Sequence, residues 1–259
     1  MSELVTCVLE EHVAWVTLDR PDVRNALSFD TLVRLREVVV GLAQDERARV
    51  VVVTGAGDRA FCAGADLKER VGFTLERTTE FVHLIGDVFS EVAALPQPTI
   101  AVLQGVAFGG GLELALACDV RIAARGVALG LTETALAIIP GAGGTQRLAR
   151  LVGLGRARDI VYSGRFVAPD EALAIGLAHR VLPGSDLLAA ALEDAARLAA
   201  GPTLAIAAAK QAMIDGWSEP IDDALEIESR GFRSAFATAD AREGVAAFLE
   251  KREPRFSGS

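Results

Sequence analysis

Residues 49–54, Arg-Val-Val-Val-Val-Thr, constrain the fold more than any other stretch. A continuous β-branched run of this kind is the mark of a strand buried on both faces. The neighbouring sequence supplies what would cover it. Val13–Leu18 is a short apolar run closed by Asp19-Arg20-Pro21, a strand and its turn. Ser28 can cap a helix whose Leu32, Leu35, Val39 and Leu42 recur at helical spacing. Thr74 can cap a longer one, with Phe81, Leu84, Ile85, Val88, Phe89 and Val92 on one face and Pro96 as its stop. Thr99–Leu103 and Val120–Ala123 read as further strands, and a short apolar helix opens at Gly109-Gly110-Gly111 and ends near Cys118. Strand, loop and helix alternate to about residue 185, which predicts a layered α/β domain over 1–185. From 186 to 259 only helical patterns remain, at 187–200, 202–214, 220–236 and 240–251, with Pro202 and Pro220 expected in first turns.

The 259 residues are 51% hydrophobic, enough for a sizeable core in one large domain with a helical appendage. Acidic residues outnumber basic ones 35 to 26, which argues against nucleic acid as the main partner. The three cysteines, Cys7, Cys62 and Cys118, are widely separated, and the three histidines show no ligand spacing, so neither a disulfide framework nor a metal site is expected. The acidic start at Glu3, Glu10 and Glu11 does not read as a signal peptide, and 92–112 carries two prolines and a glycine cluster where a membrane span would need a clean apolar helix. A soluble, cytoplasmic protein is the expectation.

Three segments can carry chemistry. In Phe108–Cys118 (FGGGLELALAC) the glycines let the backbone turn sharply and leave free N–H groups at a helix start, which favours negative charge. A glycine cluster alone is more often a tight turn with no ligand. Glu113 tips the balance, because it is the lone charge between Glu91 and Asp119 in a run that should be buried, a costly placement tolerated mainly at functional sites. Phe61–Glu69 (FCAGADLKE) sets small residues around a glycine after a buried strand, where open α/β sheets bind ligands. Glu133 precedes a second glycine-rich turn, Ile138–Thr145, that matches neither a dinucleotide nor a P-loop fingerprint, and no Gly-x-Ser-x-Gly occurs. Two carboxylates and two glycine-rich corners suit proton transfer through an enolate, and they do not name the substrate.

At these residues the chain resembles the enoyl-CoA hydratase/isomerase (crotonase) superfamily. FCAGADLKE, GGGLELALACD and ETALAIIPGAGGTQRL carry the resemblance, which runs from Leu18-Asp19-Arg20-Pro21 to Phe248–Arg252. It implies a spiral of ββα turns with a C-terminal helical region that drives trimerisation, as a homotrimer or a homohexamer of two trimers. It implies an acyl-CoA substrate, with coenzyme A entering as part of that substrate and no separate cofactor. By the same resemblance, the backbone N–H groups of Ala65 and Gly110 form the oxyanion hole, Glu113 and Glu133 are the catalytic pair, and Gly141 helps to position water. Ala63, Leu67, Arg24, Phe232, Phe248 and Lys251 match positions that contact coenzyme A, some from a neighbouring subunit. The implied reaction is syn addition of water across a trans-2-enoyl-CoA. Leu131-Thr132 replaces the Gln-Pro of many short-chain hydratases, and the motifs lie nearer the methylglutaconyl-CoA hydratase branch. A double-bond isomerase and a non-catalytic acyl-CoA- or RNA-binding oligomer are the rival readings, the latter disfavoured because both glutamates are present and lysines are few.

Overall fold

The computed structural model describes residues 3–259. Its larger sheet is built around β3 (Val50–Gly55), whose four valines are at most 2% exposed. Strands β1 (Val5–Glu10), β2 (Val13–Leu18), β5 (Thr99–Leu103), β7 (Val120–Ala124) and β9 (Arg180–Leu182) complete it in the order β1-β2-β3-β5-β7-β9. Only the β1–β2 pair is antiparallel. The expected strand at 13–18 is β2 to the residue. β1 is a strand the sequence reading passed over, and its burial explains why: one residue is buried while most of the rest face solvent.

The helices cover this sheet. Ser28 caps α1 (Phe29–Ala43), its Oγ accepting the Thr31 N–H at 3.2 Å. Thr74 caps α3 (Leu75–Ala93) in the same way through Arg77. α1 and α3 pack on each other, and α8 (Gly184–Ala199) lies against β2, β3, β5 and β7. The boundary drawn at 185/186 therefore falls inside a helix that belongs to the core, and the projecting part begins after it. α9 (Thr203–Gly216), α10 (Ile221–Phe236) and α11 (Ala239–Glu250) form that part, with α9 packed on α10. Pro202 and Pro220 stand at the N-cap positions of α9 and α10, one residue before the expected first turn.

A second sheet, absent from the sequence reading because its strands are only two or three residues long, positions the site. β4 (Ala60–Cys62), β6 (Val106–Phe108) and β8 (Leu129–Gly130) run parallel in that order. All three therefore release their chains at one edge: β4 into Ala63–Asp66 and the short α2 (Leu67–Arg70), β6 into Gly109 and α4 (Gly110–Ala117), and β8 into a 3-10 turn at Glu133–Leu136. The carboxyl ends of parallel strands are where open α/β sheets bind ligands. Beyond β8, α5 (Gly144–Val152), α6 (Leu154–Ser163) and α7 (Pro169–Ala174) return the chain to β9. Among the described residues, no helix is long and apolar enough to cross a membrane.

Candidate active site

A cavity of about 740 Å³ opens at the shared edge of β4, β6 and β8. Its walls include Ala65, Gly110, Glu113, Glu133 and Gly141, so the five residues expected to act on substrate face one compartment. Ala63 and Leu67 line it as well.

The corner after β6 explains why glycine is needed there. Gly109 has φ 50° and ψ −123°, a conformation that side chains strongly disfavour. At Gly111 an added Cβ would fall 2.1 Å from the carbonyl oxygen of Cys62, so α4 can press against the end of β4 only without a side chain. That close approach sets the amide of Gly110 beside the amide of Ala65, whose nitrogen lies 3.7 Å from where a Cβ on Gly110 would sit. Neither N–H donates to an acceptor among the described residues. Two unengaged, neighbouring amides at a helix start form a natural cradle for a developing oxyanion.

α4 is buried along its whole length, Glu113 included at 3% exposure. Its Oε1 accepts the N–H groups of Ala142 and Gly144, each at 2.8 Å. Burial raises the carboxyl's proton affinity above the ordinary value, while the Gly144 and Ala142 amides and the nearby charge of Arg147 act against it. Arg147 also donates to the Ala142 carbonyl at 2.8 Å, bracing the loop that supplies those amides. Glu133 stands in a different environment. Its Oε2 is buried without a hydrogen-bond partner among the described residues. Burial drives its pKa up to about 7, with its own backbone N–H lowering it and the negative charge of Glu113 raising it further. One carboxyl is thus held by donors that favour the anion, and the other has little to oppose protonation. Unequal surroundings of this kind can separate base from acid within a pair of carboxyls.

A family model described as enoyl-CoA hydratase/isomerase matches residues 9–259. The chain belongs to the enoyl-CoA hydratase/isomerase family. It is 40% identical over 247 residues to the crotonyl-CoA hydratase of Syntrophomonas wolfei, covering 95% of each chain. It is 42% identical over 240 residues to the mitochondrial methylglutaconyl-CoA hydratase of Mus musculus, covering 91% of this chain and 76% of that one. A crystal structure of enoyl-CoA hydratase from Bacillus anthracis superposes with a TM-score of 0.97 at 43% identity, covering 99% of this chain and 100% of the other. The fold is therefore the crotonase fold that the motifs implied.

For a member of the enoyl-CoA hydratase/isomerase family, the remaining expected contacts are distributed unevenly. Arg24, Phe232, Phe248 and Lys251 do not line the cavity of their own chain. Arg24 is exposed in a left-handed conformation, and its carbonyl accepts the N–H of Ala63 at 3.0 Å. Phe232 and Phe248 are 66% and 82% exposed on α10 and α11, and Lys251 ends α11. Arg147 carries no mark in the sequence, and Arg70 is marked there only as one end of the variable segment 70–77 that the resemblance places beside the acyl chain. Arg147 sits in an amphipathic helix like any solvated charge, and Arg70 reads as the last residue of a polar Lys-Glu-Arg run. No sequence signal separates Arg147 from a surface residue.

Proposed function

We infer that the chain adds water across the double bond of a short trans-2-enoyl-CoA. The amides of Ala65 and Gly110 hold the thioester oxygen, where enolate charge develops in the transition state. Two fixed donors stabilise that charge selectively, each worth about 10²–10³ in rate. Glu113, whose Oε1 accepts the Ala142 and Gly144 amides, takes a proton from the water whose oxygen bonds to C3. Glu133, with a pKa near 7, delivers a proton to C2 from the same face. The new C3–O and C2–H bonds replace the double bond, and the proton on Glu113 and the vacancy on Glu133 are reset through solvent. Gly141 lies in the wall beside them and helps to seat the water. The observation that carries this reading is the divergence of two carboxyls in one cavity with two unengaged amides.

Loss of the enoyl-thioester absorbance of crotonyl-CoA measures the reaction. Glu113→Gln and Glu133→Gln should each slow it by about 10²–10⁴ while acyl-CoA binding persists. Full activity in either variant overturns the assignment, and product lacking solvent oxygen redirects it to isomerisation.

Short chains, linear or branched, fit the relatives named crotonyl- and methylglutaconyl-CoA hydratase. The working form in this proposal is a homotrimer or a hexamer of two trimers. Its support is the aromatic surface of α10 and α11, which lies outside the chain's own cavity and would bring Phe232, Phe248 and Lys251 to the coenzyme A of a neighbour. Three free cysteines suit a reducing compartment such as the cytoplasm.

A further inference from the structure

The turn that holds Glu113 is itself held from behind. Between the two amides that reach the carboxylate stands the Ala142–Gly143 peptide, whose carbonyl accepts Arg147 Nη1 at 2.8 Å. Ala142 is buried, and its carbonyl has no other donor among the described residues. Gly143 has φ 99°, and a Cβ built on it would overlap the Arg147 guanidinium, so the arginine tucks under the turn at the residue that leaves it room. At Gly144 an added Cβ would sit 2.9 Å from Glu113 Oε1, so turn and carboxylate are in close contact. Arg147 is part-buried yet pairs with no carboxylate among the described residues, and its Nη2 reaches Ser90 Oγ on α3 at 3.4 Å. Arg150, one turn further along α5, is exposed and bonds to Gln146 of its own helix. Arg147 does not line the cavity, so it acts on the reaction only through what it holds.

The local chain does not fix that peptide. Turning it half-way round would take Gly143 to an ordinary negative φ, which glycine adopts about as readily as a positive one. The Arg147 bond fixes it, because the alternative leaves a buried carbonyl without its donor. A turn free to rotate would let its flanking amides drift from Glu113 Oε1. A displacement of about 1 Å at a reacting group can cost roughly 10²-fold in rate.

Resting on the hydratase reading above, we propose that Arg147 is a positioning residue for the base: from outside the cavity it holds the 142–144 turn in the arrangement in which both amides reach Glu113. The parts form one chain, guanidinium to carbonyl and amides to carboxylate. Its far end rests on Ser90 of α3, the helix that puts Phe81, Val82 and Ile85 into the cavity wall. The base is thereby referenced to the wall against which the acyl chain lies.

Arg147→Met and Arg147→Lys are compared with the wild type by crotonyl-CoA hydration, by calorimetric titration of butyryl-CoA, and by hydrogen exchange read by mass spectrometry on peptides covering residues 140–145. Arg147→Met should lower kcat by roughly 10- to 100-fold. Butyryl-CoA should bind it as it binds the wild type, the split expected when only the reacting geometry is lost. Exchange at 140–145 should speed up while the strands of the larger sheet stay as protected as before. Wild-type kcat in Arg147→Met, unchanged exchange at 140–145, or exchange that rises equally across the sheet overturns the proposal. Butyryl-CoA binding that weakens in step with kcat also overturns it, because Arg147 would then support the pocket as a whole. Arg147→Lys keeps the charge and should recover only part of kcat, whereas complete recovery assigns the role to charge alone and overturns the proposal. If Arg147→Met does not fold, Arg147→Lys decides: it must show slowed turnover, intact butyryl-CoA binding and faster exchange at 140–145, and the lack of any one overturns the proposal. The hydratase reading fails separately: a wild type that leaves crotonyl-CoA unhydrated sinks that reading, and exchange at 140–145 still decides this one.

Discussion

Glu133 and Gly109 compete for one space: a Cβ built on Gly109 would sit 3.0 Å from Oε1 of Glu133. Gly109→Ala therefore meets two obstacles, the clash and a backbone conformation open mainly to glycine, at a cost of about 1–3 kcal/mol. The carboxyl must move or the corner must unwind. Thermal melting should show the lost stability, and hydration should fall further than the melting shift alone accounts for.

The proton affinity of Glu133 fixes the pH profile. If it acts protonated, kcat/KM for crotonyl-CoA should decline above about pH 7, and Glu133→Gln should remove that limb along with most of the activity. Stability follows the same group with a definite sign. Its folded pKa of about 7 exceeds the ordinary 4.5, so between those values the folded state holds more proton than the unfolded one. Stability from this group is complete below pH 4.5 and is lost as pH rises towards 7. Denaturant titrations of wild type and Glu133→Gln across that window should diverge in this direction.

Lys210 is the one lysine buried among the described residues, and it ties α9 to the core. Its Nζ donates to the Gln97 carbonyl at 3.0 Å and to Asp119 Oδ2 at 2.8 Å. Lys210→Met should cost about 1–3 kcal/mol, a melting-temperature drop of several degrees for a chain of this size. The loss stays within that range because Asp119 keeps the Thr99 N–H and hydroxyl at 2.8 and 2.9 Å.

Phe232 and Phe236 stack at 5.6 Å on α10 although both are more than 60% exposed. An apolar patch of that kind marks an interface. Phe236→Asp should lower the assembly mass seen by sedimentation and weaken coenzyme A binding with it. A trimer that persists with Asp at this position excludes this face as the subunit contact.

The parts that sequence made legible share a physical character. The valines of β3 and the capped helices α1 and α3 announce themselves through unbroken apolar patterns and through Ser28 and Thr74. Glu113 stands out because a charge in an apolar helix has few explanations. Glu133 does not stand out by pattern, since a glutamate between two threonines looks solvated, and its part-buried state arises from the fold of the small sheet. That sheet has strands too short to leave a periodicity, yet it gathers the whole site. Lys210 was invisible for a related reason: the partners that define it lie far away in sequence.

The loop that forms part of the acyl wall at Pro140–Ala142 is also the loop whose amides hold Glu113. In the proposed mechanism, room for the chain and strength of the base are thereby mechanically joined. An oversized acyl group that levers this loop outward would strip the carboxylate of its donors, so a misfit would register as slow turnover even when the thioester is well bound.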